Sequence, residues 1–243
     1  VLLVIDAGNT HTVVGLYDLD AAPADGDARE ATAGLLDHWR ISTDASRTSD
    51  EFAVMLQGFL SFRGVELDAI EGMSISSGVP RITASIAILY ENPKEVGADR
   101  IANAVGAFDL YGGPTIVVDF GTATTCDAVS ANGEYLGGAI APGIEISMDA
   151  LVGRASALRA VELKAPRNVL GKSTVESIQS GAVYGFAAQV DGICDRIEGE
   201  IGPCTIVATG GLAELIAPLS SRISRTEPWL TLHGLRLVYE KNE

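Results

Sequence analysis

Two short stretches of this 243-residue chain carry residue types suited to phosphate: Asp6-Ala7-Gly8-Asn9-Thr10 and Asp119-Phe120-Gly121-Thr122. In each, an apolar run ends on a carboxylate, glycine stands two positions on, and small polar residues follow. Glycine permits a tight backbone whose N–H groups point outward together, and Asn9 and Thr10 add amide and hydroxyl donors. Such a turn holds phosphate oxygens without a lysine, and the carboxylate beside it can hold Mg2+ directly or through water. One such turn alone reads as an ordinary hairpin whose aspartate accepts backbone N–H groups. Two at matching places favour a phosphate site.

Three further stretches could do chemistry. Gly97-Ala98-Asp99-Arg100-Ile101 puts an acid and a base at a presumed helix start. Asp99 can accept a substrate hydroxyl proton while Arg100 steadies an anionic group. Sequence physics alone leaves the plainer reading ahead, because an acid in a first helical turn is favoured by the helix dipole. Thr209-Gly210-Gly211 follows an apolar strand and is a tight turn that can let a flat nucleoside approach the backbone. Leu170-Gly171-Lys172-Ser173-Thr174 resembles the tail of a P-loop, but that loop needs glycine where Pro166 stands. Ser173 reads instead as a helix N-cap, with Thr174 free to offer its hydroxyl to a ligand there.

The elements that position these residues follow from periodicity. Residues 1–18 read as strand, turn, strand, 21–34 as a loop and 35–43 as a short strand. Thr48 and Glu51 form a capping box ahead of a helix, and 72–80 is a strand and a turn. A helix is expected near Gly97–Leu110, a buried strand at 115–120, and a hairpin around Asn132-Gly133. Ser173 and Glu176 form a second capping box before a long helix that Gly202-Pro203 stops. Residues 204–216 read as strand, Gly-Gly turn and helix, and 232–240 as the last helix. Laying the opening strand–turn–strand over 115–131 matches Asp6 with Asp119 and Gly8 with Gly121, while Thr10 falls on Ala123. This internal repeat implies two homologous halves, each opening with a β-hairpin, set at 1–112 and 113–243.

Composition bounds the partners. A formal charge of −15 disfavours nucleic acid and anionic membrane, which need basic surface. It also requires any phosphate to be held by local groups. Three cysteines, odd in number and without metal-ligand spacing, point to a reduced cytoplasmic compartment. The three histidines lie far apart, no apolar run reaches membrane-spanning length, and Val1–Ile5 lacks the basic flank of a signal peptide. The absence of a starting methionine reads as a trimmed start.

Taken together, these motifs resemble type III pantothenate kinases of the acetate and sugar kinase, Hsp70 and actin superfamily. The matching stretches are DAGNT (6–10), ILYENPKEVGADRI (88–101), VVDFGTATTCD (117–127), GGAIAPG (137–143), GKSTVESIQSG (171–181) and ATGG (208–211), in family order. DAGNT and ATGG are generic to the superfamily; the second and third stretches are specific. The resemblance implies an α/β fold of two actin-like, ribonuclease H-like domains, each a mixed sheet opening with a hairpin and flanked by helices. It implies ATP-dependent phosphorylation of pantothenate to 4'-phosphopantothenate, the first step towards coenzyme A. Asp6 to Val13, including Gly8, Asn9 and Thr10, together with Thr122, Gly210 and Gly211, would meet ATP, with Asp6 near Mg2+. Asp99 would be the general base, Tyr90, Gly97, Ala98, Asp99, Arg100 and Thr174 would line the pantothenate pocket, and Asp119 would bind K+ or NH4+. Family members are similar in forming homodimers.

The chain departs from the family pattern near 86–87, where about a helix and a strand are absent between Ile86 and Ala87. This reads as a stretch left out, with the numbering closed over it, rather than a true deletion. His11 and Cys126 sit in motif turns and are assigned packing rather than chemistry. Two rival readings stay open: a kinase or phosphatase of the same superfamily with another acceptor, and a catalytically silent regulatory homologue. Retention of Asp6, Asp99, Asp119 and Thr174 argues against the silent one.

Overall fold

A computed structural model describes residues 1–21, 31–44, 46–76, 95–155 and 158–241. The loop expected at 21–34 therefore lies largely outside the described residues, as do Tyr90 and the junction near 86–87. Contacts divide the chain into two units. Within the described residues the first takes 1–76, 95–106 and 231–241, and the second takes 107–230. The boundary falls inside a helix, and the last helix returns to the first unit.

In the first unit, β1 (Leu2–Ala7), β2 (His11–Tyr17), β3 (Leu35–Ser42) and β4 (Gly72–Ser76) form one sheet in the order β3-β2-β1-β4. β1 runs antiparallel to β2 and parallel to β4. The helix α1 (Ser49–Phe62) starts at the expected capping box, with Thr48 and Glu51 bonding reciprocally. Its Phe52, Leu56 and Leu60 pack on Leu3, Ile5, Val14 and Leu16, every second residue of β1 and β2. The start of α2 (Ala98–Tyr111) and the body of α6 (Leu230–Glu240) also belong to this unit. Ser74 donates its hydroxyl to Leu235 O, which ties β4 to α6.

Close approach fixes α6. A Cβ on Gly234 would lie 1.9 Å from Ala102 O of α2. Gly234→Ala is therefore expected to destabilise the protein by about 1–3 kcal/mol through overpacking. Gly199, also helical and with nothing near its missing Cβ, is the control: Gly199→Ala should stabilise by roughly 0.5–1 kcal/mol. Urea-denaturation midpoints check both.

In the second unit, β5 (Thr115–Phe120), β6 (Ala123–Val129), β7 (Tyr135–Pro142), β8 (Thr205–Thr209) and β9 (Arg225–Thr226) form a sheet in the order β7-β6-β5-β8-β9. Ile116, Val118 and Phe120 face the core with Val183, Ala187 and Val190 of α4 (Thr174–Ile201). Val117 and Val207 pack instead with Ala107 and Leu230. β5 is thus covered on both faces, which is why TIVVDF reads as an unbroken apolar run. The short α5 (Ala213–Ile216) follows β8.

The first four strands of each sheet share one plan: a hairpin, a third antiparallel strand on one side, and a parallel strand on the other. The internal repeat is therefore structural. The loose match at Thr10 has a simple cause. Three residues, Gly8 to Thr10, join β1 to β2, whereas only Gly121 and Thr122 join β5 to β6. After the turn the two halves are offset by one, so Thr12 corresponds to Thr124, each opposite the last residue of the preceding strand.

The structure adds α3 (Ile144–Arg154) and β9 to the expected elements. α3 begins on Gly143, which has no capping side chain, so the usual start signal is missing. The second capping box is half formed: Ser173 accepts from Glu176 N, but the Glu176 carboxylate accepts from Lys172 N. Gly202, at φ 88°, ends α4 as expected.

Candidate functional site

In the first unit the turn after β1 is pinned from β3. Gly8 N donates to His11 O at 3.0 Å and Thr43 N to Thr10 O at 2.9 Å. The Thr43 hydroxyl donates to Gly8 O at 2.7 Å and lies 2.9 Å from the Thr12 hydroxyl. Asn9 and Thr10 are left exposed on this braced loop. Asp6, just before the turn, pairs across β4 with Ser76, a buried serine. Burial first, and then the Asp99 charge, push the Asp6 carboxyl up to about 6, against a partly offsetting hydrogen bond from Ser76.

Asp99 sits in the first turn of α2. Its Oδ1 accepts from Arg100 N at 2.8 Å and lies 2.5 Å from where a Cβ on Gly97 would stand, so the GAD sequence makes room for the carboxylate. Arg100 is itself buried. The sequence-predicted Asp6, Gly97, Ala98, Asp99 and Arg100 are thus gathered in one unit. Ser76 and Thr43 were missed. Ser76 comes beside Asp6 only through the parallel pairing of SIS (74–76) with the strand before DAGNT, which no local pattern marks, and nothing local marks Thr43.

The second unit repeats the arrangement around Asp119. Thr209 stands beside it on β8 and Thr125 opposite it on β6, both buried. Gly210 is at φ +91°, and a Cβ there would lie 2.4 Å from Asp119 Oδ1 and 2.7 Å from the Phe120 backbone. Only glycine fits, so the Gly210-Gly211 turn lies against the carboxylate. Gly143 N donates to Thr122 O at 3.1 Å, and a Cβ on Gly143 would stand 2.2 Å from that oxygen. The GGAIAPG motif thereby clamps the second turn.

Thr174 is the first residue of α4. With Ser147, Met148, Lys172, Ser177 and Phe186 it lines an open cavity of about 790 Å3 inside the second unit. The chain preceding α4 is strapped along it by Gln179 Nε2 to Glu162 O at 2.7 Å and the Ser180 hydroxyl to Val169 O at 2.5 Å. Gly171 is needed there, since its Cβ would meet Ser177 N at 2.5 Å.

The donors around Asp6 and Asp119 are carboxylate and hydroxyl oxygens. Hard oxygen donors with few carboxylates suit Mg2+ shared with phosphates, or an alkali cation. Among the described residues no three His, Cys, Asp or Glu side chains group as a metal site.

A family model for type III pantothenate kinase matches residues 2–87 and 79–196. The chain belongs to the type III pantothenate kinase family. A type III pantothenate kinase of Streptomyces griseus is 51% identical, covering 99% of this chain and 98% of the relative. One from Moorella thermoacetica is 45% identical, covering 99% of each. The Streptomyces alignment runs over 273 positions, longer than this 243-residue chain. Among solved structures, a ROK family glucokinase from Streptomyces griseus, in complex with glucose and AMPPNP, superposes with TM-score 0.52 at 13% identity, covering 98% of this chain and 99% of that one. An inorganic polyphosphate/ATP-glucomannokinase from Arthrobacter gives 0.53 at 15%, covering 100% and 99%. These likenesses establish the actin-like kinase fold, with its two α/β domains.

Proposed function

We propose that this chain transfers the γ-phosphoryl group of ATP to the terminal hydroxyl of pantothenate, forming 4'-phosphopantothenate and ADP. The full-length match to type III pantothenate kinases carries the reading; the paired carboxylate turns support it. Asp99 takes the hydroxyl proton as the alcohol attacks phosphorus in line. By family pattern, Tyr90, Gly97, Ala98, Arg100 and Thr174 orient pantothenate. The backbone of Gly8 to Thr10 and the Thr122 hydroxyl meet the phosphates, and Gly210 and Gly211 give the nucleoside a flat approach. Mg2+ near Asp6 and K+ or NH4+ at Asp119, when bound with ATP, neutralise charge on the transferring group.

A homodimer is supported by apolar side chains left exposed on α3 and at the start of α4, Ile146, Leu151 and Val175. A cytoplasmic location accords with three free cysteines. No helix among the described residues is long and apolar enough to cross a membrane. The two family matches meet at 79–87, and we place there the extra positions of the longer relatives.

Coupled ADP release, measured with pantothenate, without it, and with other small alcohols, tests the function. ADP formation should depend on pantothenate. Equal release without it, or a strict preference for another alcohol, would overturn the assignment.

A further inference from the structure

Asp127, two residues beyond Thr125 on β6, has no role in the reaction as described. Its side chain is wholly buried. Thr125 Oγ1 donates to its Oδ2 at 2.8 Å and the Tyr135 hydroxyl donates to its Oδ1 at 2.7 Å. Gly138 stands directly opposite on β7, where a Cβ would lie 2.1 Å from Cys126 O and 2.9 Å from Asp127 Oδ1, so the two strands and the carboxylate pack closely here. A chain that placed only a structural hydroxyl pair here would have no need of a buried acid, whose desolvation is unfavourable by several kcal/mol before its hydrogen bonds are made.

The consequence lies with Thr125. A threonine hydroxyl has one proton and two lone pairs. Its proton is committed to Asp127, so only lone pairs remain for anything else nearby. Thr125 is directly opposite Asp119 across the β5–β6 pairing, and facing residues stand about 4.5–5.5 Å apart at Cβ on one face. We infer that Asp127 is a positioning residue: it holds the Thr125 hydroxyl as an acceptor, so that Thr125 and Asp119 together offer oxygen to one monovalent cation. The inference rests on the proposed cation role of Asp119. The partner side is equally distinctive, since the equivalent of Thr125 in the first unit, opposite Asp6, is Val13. The first turn lacks this second oxygen, so the two carboxylates are built for different cations.

The test is a potassium titration of ATP affinity, without pantothenate, on wild type, Thr125→Ser, Thr125→Val and Asp127→Asn, alongside turnover and melting temperature. Thr125→Ser should keep the wild-type potassium half-saturation. Thr125→Val and Asp127→Asn should raise it at least tenfold, and their ATP affinity should recover at high potassium. A structural role alone would lower the melting temperature of Thr125→Val and leave its half-saturation unmoved, which would overturn the proposal. It would also be overturned if wild-type ATP affinity ignored potassium; pantothenate-dependent turnover in that same preparation would show that the kinase reading had survived. Should Asp127→Asn fail to fold, the Thr125 pair decides.

Discussion

Asp99→Asn is expected to lower pantothenate turnover about 10²–10⁴-fold, the usual contribution of a positioned general base, while leaving fold and ATP affinity near wild type. The substitution is local in effect. Asp99 accepts a backbone N–H from Arg100 through Oδ1, and the asparagine oxygen can accept the same bond. The space opposite Gly97 serves an amide as well as a carboxylate. What is lost is the ability to take a proton, together with the negative charge that Asp6 senses. If Asp99 acts in the chemical step, turnover falls with little change in the pantothenate KM, because the interaction removed is one that matters in the transition state. Unchanged turnover would remove Asp99 from the mechanism, and a collapse of ATP affinity would assign it to binding instead. The variant should also lower the apparent pKa of Asp6, because the Asp99 charge is one of the causes that raise it.

How far this site could be seen beforehand depends on what each residue answers to. Asp6 and Asp119 were visible because a strand that ends on a carboxylate before glycine breaks the apolar pattern locally. Asp99 was visible only by family pattern, since an acid in a first helical turn has an ordinary explanation. Ser76 was not picked out, and Thr209 only as part of the Thr209-Gly210-Gly211 turn, although both flank the carboxylates by parallel pairing. Strand partners far apart in sequence leave no periodic trace, and a hydroxyl at a strand end is unremarkable until its neighbour is known. The one-residue difference between the two turns was invisible for the same reason: an ungapped overlay keeps Asp and Gly in step and conceals the offset that follows. α3 was missed because its start lacks a capping side chain, whereas α1 was foreseen from its capping box and the apolar residues that follow it. What local chemistry encodes was legible; what register encodes was not.

Asp6→Asn should have effects of opposite sign on stability and on activity. In the native protein the Asp6 carboxyl is pushed up to about 6, chiefly by burial and then by the charge of Asp99. A carboxyl whose native pKa lies above its unfolded value favours the folded state only while protonated. That stability is fully present below about pH 4, the ordinary aspartate range, and is lost as pH rises through about 6. A shift of this size corresponds to about 3 kcal/mol at neutral pH, to order of magnitude. Asparagine keeps an acceptor for Ser76 and carries no charge, but its buried NH2 group offsets part of the gain, by roughly 1–3 kcal/mol where no partner forms. The ligand-free variant should therefore melt on the order of a few degrees above wild type at pH 8. Near pH 4, where Asp6 is protonated, the variant should melt level with wild type or, where the amide finds no partner, below it, so the difference moves in the variant's favour between pH 4 and 6. Parallel melting curves across that range would sink the assignment. Turnover should fall in the same variant, because a charge held against burial in the empty protein is what a metal–phosphate ligand requires when bound. The instability is then the counterpart of function: the turn is least comfortable when nothing occupies it.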